Sequence, residues 1–172
     1  MPSTAQAKRT DYEVIIVGGG PAGLNAALIL GRCRRRVLLI DSGNPRNAVS
    51  RGVHGFLTRD GERPSEMRRI GREQLRSYET VEIRDGEICE AKCHDDWFEV
   101  REPGDGWLSA RKLLLATGLL DDIPDISGFA ELYGHATAGS IGIGQSRRRR
   151  NDTHTKARSR PGSWSAEAAR CF

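Results

Sequence analysis

The chain of 172 residues contains no Cys-x-x-Cys. Its four cysteines are Cys33, Cys89, Cys93 and Cys171. Cys89-x-x-x-Cys93 has His94 beside it but no fuller set of ligands, so no metal site is expected. Packed or exposed thiols are the better reading. Also missing is any apolar run near the ~18–20 residues of a membrane span. Residues 1–11 form a polar leader without the apolar core of a signal peptide. A cytoplasmic protein with no membrane partner is therefore expected. Apolar residues are few, at 37%. The length suits one domain, or one domain and a tail.

A net positive charge on the body of the chain is lacking too. The net charge of +4 hides an asymmetry. Residues 135–172 hold eight Lys/Arg and only two acids, whereas 1–134 carry 19 basic and 21 acidic residues. The body is mildly acidic and the basicity belongs to the tail. Arg147 to Arg150 could touch phosphate backbones. No aromatic interleaving or binding fold accompanies them, so a nucleic-acid partner is not expected. Arg32, Arg34, Arg35 and Arg36 crowd a helix C-terminus instead, where cations complement the dipole.

What is present is a glycine fingerprint. Gly18-Gly19-Gly20-Pro21-Ala22-Gly23 follows the apolar run Val14–Val17 and opens a small-residue helix from Pro21 to about Cys33. A second strand, Val37 to Ile40, ends on Asp41. This is the β-α-β dinucleotide fingerprint with its acid ~20 residues on. Gly18 allows the tight turn, Gly20 lets the backbone approach a pyrophosphate, and Gly23 lets the helix pack closely. The helix N-terminus favours phosphate, and a carboxylate at Asp41 favours ribose hydroxyls over a 2′-phosphate.

Beyond the fingerprint lies a Gly/Asn/Arg loop over 42–62, longer than a structureless connection usually is. A helix starting near Pro64 follows, with Met67, Ile70, Leu75 and Tyr78 at core spacing. Val81 to Ile83 reads as a third strand. Three short candidates, at 87–91, 97–101 and 107–112, are separated by turn signals and read as an antiparallel meander. Leu113 to Ala116 then reads as a buried parallel strand ending at Thr117-Gly118. The predicted fold class is α/β: a Rossmann-like domain with a parallel sheet and an inserted three-stranded meander, incomplete by one strand.

Together, the Gly18–Gly23 fingerprint, Asp41, the meander and Ala116-Thr117-Gly118 resemble the FAD domain of a two-dinucleotide-binding flavoprotein. More narrowly, His54 to Gly61 and Gly128 to Gly134 are similar to thioredoxin-reductase-like flavoproteins. The resemblance covers residues 12–134. It implies FAD as cofactor, with Gly18, Gly20, Pro21, Ala22 and Gly23 at the pyrophosphate. It places Asp41 and Ser42 at the adenosine ribose and Thr117 and Gly118 along the cofactor. Asn47 is a weaker candidate, and Arg46 stands equally well as a solvated charge. His54 is assigned no catalytic role.

The family's reaction is reduction of a disulfide, or oxidation of a dithiol, on a small molecule or protein, linked to NADPH. After Gly134 the resemblance ends. The family's Cys-x-x-Cys, NADPH domain and closing strand are not found in the sequence, and 135–172 read as a disordered tail. The chain is expected to be an N-terminal FAD-binding fragment with no catalytic residue of its own. A homodimer is left open. Two alternatives also stay open: a non-catalytic dinucleotide-binding module, and an NAD-linked Rossmann enzyme of another class.

Overall fold

The computed structural model describes residues 10–129 and Tyr133. The tail at 135–172, with Arg147 to Arg150 and Cys171, lies outside the described residues, as do Gly134 and residues 1–9 of the leader. Tyr12–Val17 form β1, Pro21–Arg32 α1 and Val37–Asp41 β2. Pro64–Leu75 form α2, Val81–Asp85 β3, Glu90–Cys93 β4, Phe98–Arg101 β5 and Trp107–Leu115 β6. The long loop holds only a short 3-10 turn, Arg46–Val49.

Six strands make one mixed sheet in the order β3-β2-β1-β6-β5-β4. β3, β2, β1 and β6 run parallel, while β6, β5 and β4 are antiparallel neighbours. Alternation along β1 and β2 sends side chains to opposite faces. Ile16, Val37 and Leu39 meet Leu24 and Ala27 of α1 and Leu75 of α2. Ile15, Val17, Leu38 and Ile40 face the other way, against Ala91, Val100 and Ala110 of the antiparallel strands. The meander thus covers the face opposite the helices, and β2 is buried along its whole length. That explains its uninterrupted Val-Leu-Leu-Ile run.

Residues 107–112 and 113–115 are one strand, not two as the sequence suggested. β5 pairs with Trp107 to Ala110, and β1 pairs from Ala110 to Leu115. The change from mixed to apolar residues marks a change of neighbours along β6. Its outer half is also less buried than expected, with Leu114 38% and Leu115 36% exposed. The reason is pairing. Past Ala110 no described strand lies on the β5 side.

The α2 stripe also divides. Leu75 is in the core and Tyr78 packs against it, whereas Met67 and Ile70 line a cavity beside the long loop. At the C-terminal end of α1, Arg35 pairs with Glu13 at 3.0 Å and Arg36 donates to the Thr10 carbonyl at 3.2 Å. That part of the arginine cluster is tied into its own domain. No helix among the described residues is long and apolar enough to cross a membrane.

Candidate functional site

The site is built where the C-terminal ends of β1, β2 and β6 meet the N-terminus of α1. Gly18 has φ +111° and its N–H donates to the Ile40 carbonyl at 2.7 Å. A side chain there would strike the Ala116 carbonyl of the strand beside it. Ala116 N–H in turn donates to the Val17 carbonyl at 2.8 Å, so the turn is clamped on both sides. Gly23, buried in the first turn of α1, lies against the Gly18 carbonyl oxygen with no room for a Cβ. These two glycines are required by the protein itself.

Gly20 is different. It caps α1 with φ −74° and ψ −178°, extended backbone that any residue adopts, and no side chain caps the helix. Among the described residues, a Cβ at Gly20 would meet nothing within 4 Å. Pro21 at the first helical position lacks an N–H, and Pro21 and Ala22 are exposed. The turn therefore presents open backbone and the positive end of a helix dipole to the same space.

Asp41 closes the far side. Its residue is 6% exposed, and a Cβ on Gly19 would run into its carboxylate. The carboxylate is already engaged. Oδ1 accepts from Gly43 N–H at 3.2 Å, and Oδ2 accepts from Arg68 Nη2 at 2.6 Å and Arg72 Nη1 at 3.3 Å. Burial works against ionisation, but the Arg68 hydrogen bond and charge, with the Gly43 and Gly19 amides, hold its pKa below the ordinary carboxylate value. Arg72 also reaches Asp85 at 2.5 Å. Arg68 Nε is buried with no hydrogen-bond partner among the described residues.

Other expected residues scatter around this centre. Ser42 is exposed just past Asp41, and Thr117 and Gly118 are exposed beyond β6, Thr117 following the carbonyl that flanks Gly18. Asn47 lines a cavity of about 560 Å³ that also touches Pro21, Ala22, Met67 and Arg68. Arg46 pairs with Asp121 at 2.6 Å, joining the long loop to the segment after β6, and Tyr133 bonds to both. His54 is exposed and 3.7 Å from Asp60. No cluster suited to a metal occurs among the described residues.

Sequence reasoning missed Gly19, Arg68 and Arg72. The spacing of the two arginines, four apart on one helix, puts them on one face. Nothing local says that this face lies over Asp41.

Comparison with known proteins agrees with this geometry. The family profile described as pyridine nucleotide-disulphide oxidoreductase matches residues 12–150. A "Probable thioredoxin reductase" from Arthroderma benhamiae is 37% identical over 129 residues, 72% of this chain and 32% of that protein. Thioredoxin reductase tcpT from Claviceps purpurea is 42% identical over 126 residues, 71% of this chain and 39% of that protein. An oxidoreductase structure from Agrobacterium tumefaciens superposes with a TM-score of 0.69 at 40% identity, covering 72% of this chain and 42% of that one. The chain thus spans only a third or so of the curated relatives' length. It belongs to the pyridine nucleotide-disulphide oxidoreductase family, in which it resembles the thioredoxin reductases.

Proposed function

We propose that residues 12–134 are the FAD-binding part of a thioredoxin-reductase-like flavoprotein and hold the ADP half of FAD at the β1–α1 turn. Gly20 carries this reading. Its backbone does not need glycine and no described atom stands where its Cβ would go, so packing among the described residues gives no reason for glycine. A pyrophosphate over the α1 N-terminus supplies one. Gly18, Pro21, Ala22 and Gly23 shape the same turn. Asp41, with Ser42 beside it, faces the ribose end, and Thr117 and Gly118 extend the path past β6.

Arg68, whose buried Nε has no hydrogen-bond partner among the described residues, lines the cavity beside Pro21 and Ala22. Arg46 drops out as a direct contact in this reading, since Asp121 already occupies it. Bound FAD would supply the passage of electrons between a nicotinamide and a disulfide or dithiol. The chain's residues bind and orient it. A cytoplasmic location, a homodimer and a thiol-disulfide substrate belong to the proposal through the family.

The test is flavin titration of the purified chain, with any released cofactor identified as FAD or FMN. Gly20→Val is expected to weaken FAD binding at least ~100-fold, about 2.7 kcal/mol. Its thermal melt should fall by only a few degrees, roughly the scale of an N-cap change, because no described atom lies within 4 Å of a Cβ there. Equal FAD affinity in folded Gly20→Val protein would remove the phosphate site.

A further inference from the structure

The placement of Arg68 supports a role at the ribose end that rests on the FAD reading above. Arg68 and Asp41 form an ion pair at 2.6 Å with side chains only 16% and 8% exposed. Pairs this buried contribute little net stability, because both charges are desolvated. Here the balance is poorer still, since Arg68 Nε has no partner among the described residues and a buried unmet donor is costly. Stability alone is a weak reason for such a pair.

The position of the pair explains it better. Asp41 ends β2 against Gly19, beside the α1 N-terminus, where the nucleotide ribose is expected. A buried carboxyl tends to take up a proton unless donors hold it ionised. Four protein donors do so here: Gly19 and Gly43 amides, Arg68 and Arg72. The two arginines are not equivalent. Arg72 sits 3.3 Å from Asp41 and has a closer partner in Asp85, whereas Asp41 is the carboxylate that Arg68 holds. Arg68 also lines the cavity alongside Pro21 and Ala22, the first residues of α1.

We infer that Arg68 is a positioning residue for the adenosine ribose, holding Asp41 ionised and in place, and so sets the preference for an adenosine-bearing flavin over FMN. Arg72, anchored on Asp85, is an auxiliary donor. No other element supplies a cation to Asp41 among the described contacts.

The experiment titrates the full chain and its Arg68→Met, Arg72→Met and Asp41→Asn variants with FAD, ADP and FMN, alongside thermal melts. ADP has the ribose without the flavin, and FMN the flavin without the adenosine. Arg68→Met is expected to weaken FAD and ADP by ~10-fold or more while FMN stays within about twofold, as one charge-assisted hydrogen bond requires. Arg72→Met should cost less. The Arg68→Met, Asp41→Asn double variant should bind FAD no worse than Asp41→Asn alone, because the two residues act as one unit. Arg68→Lys should recover much of the affinity, and Arg68→Gln replaces Arg68→Met if the latter does not fold.

Unchanged FAD binding in a folded Arg68 variant would overturn the inference and leave the FAD site standing. Equal losses of FAD and FMN would also overturn it, showing a structural role. A wild-type chain that binds neither FAD nor ADP would remove the FAD reading and this inference with it.

Discussion

Gly23→Ala is expected to destabilise the domain by about 3 kcal/mol or more, because overpacking against fixed backbone lies at the costly end of small-to-large changes. The added methyl would enter the space of the Gly18 carbonyl oxygen and lie 3.4 Å from the Ala116 Cβ. Relief would need Gly18 to move. Gly18 is held by its hydrogen bond to Ile40 on one strand and packs against the Ala116 carbonyl on another. Shifting α1 outward would instead lift Leu24 and Ala27 off Ile16, Val37 and Leu39. Either response spreads strain into the parallel half of the sheet. For a domain of this size the loss corresponds to a fall in Tm of roughly 10 °C. Gly20→Ala, one turn away in the same motif, should cost no more than about 1 kcal/mol, the scale of an N-cap change. Thermal melts of the two variants, recorded without flavin, check the contrast. Equal melting of Gly23→Ala and the unaltered chain would mean that the turn tolerates a Cβ, and that packing does not explain its glycine.

That contrast also shows how much the sequence could disclose. β1, α1 and β2 were legible because local pattern and tertiary role coincide there. An apolar run, three spaced glycines and a second apolar run each have one sensible place in a β-α-β unit. The fingerprint does not say which glycine serves the fold and which serves a ligand. Surroundings show only that a Cβ has no room at Gly23 and meets no described atom at Gly20. The length of β6 was hidden for another reason. Its composition changes at Leu113, but composition reports neighbours, and a single strand can exchange β5 for β1 part-way along. The arginines over Asp41 were hardest to see. Arg68 and Arg72 look like solvated charges on α2, and only the docking of α2 beside β2 brings them to a carboxylate more than 25 residues away in sequence. Asp41 itself was legible as an acid but not as one already held by donors.

Saturated with FAD, the chain is expected to show no NADPH-dependent reduction of a disulfide, although its relatives are named as thioredoxin reductases. The sequence contains no Cys-x-x-Cys and no second dinucleotide fingerprint. Cys89 and Cys93 are the one near pair, and the structure separates them. Cys93 ends β4 and Cys89 immediately precedes it. Four residues of extended chain span about 13 Å, at ~3.3 Å per residue. A disulfide needs Cα atoms within about 7 Å, so pairing would require β4 to unravel. They are also remote from the proposed flavin path. β4 is three strands from β1 in the sheet order, and the meander packs on the face opposite α1. In register, Cys93 opposes Phe98, Phe98 opposes Ala110, and Ala110 lies beside Tyr12 at the start of β1. Gly18 follows the other end of that strand, on the order of 20 Å further along. Cys33, exposed at the C-cap of α1, has no described cysteine to pair with. The check is NADPH consumption with a disulfide substrate, by the FAD-loaded chain and by its Cys89→Ser, Cys93→Ser variant. Slow dye reduction by accessible flavin is compatible with the expectation. Steady turnover that vanishes in the double variant would make the meander cysteines a redox pair, and the register of β4 and β5 would have to change for them to act.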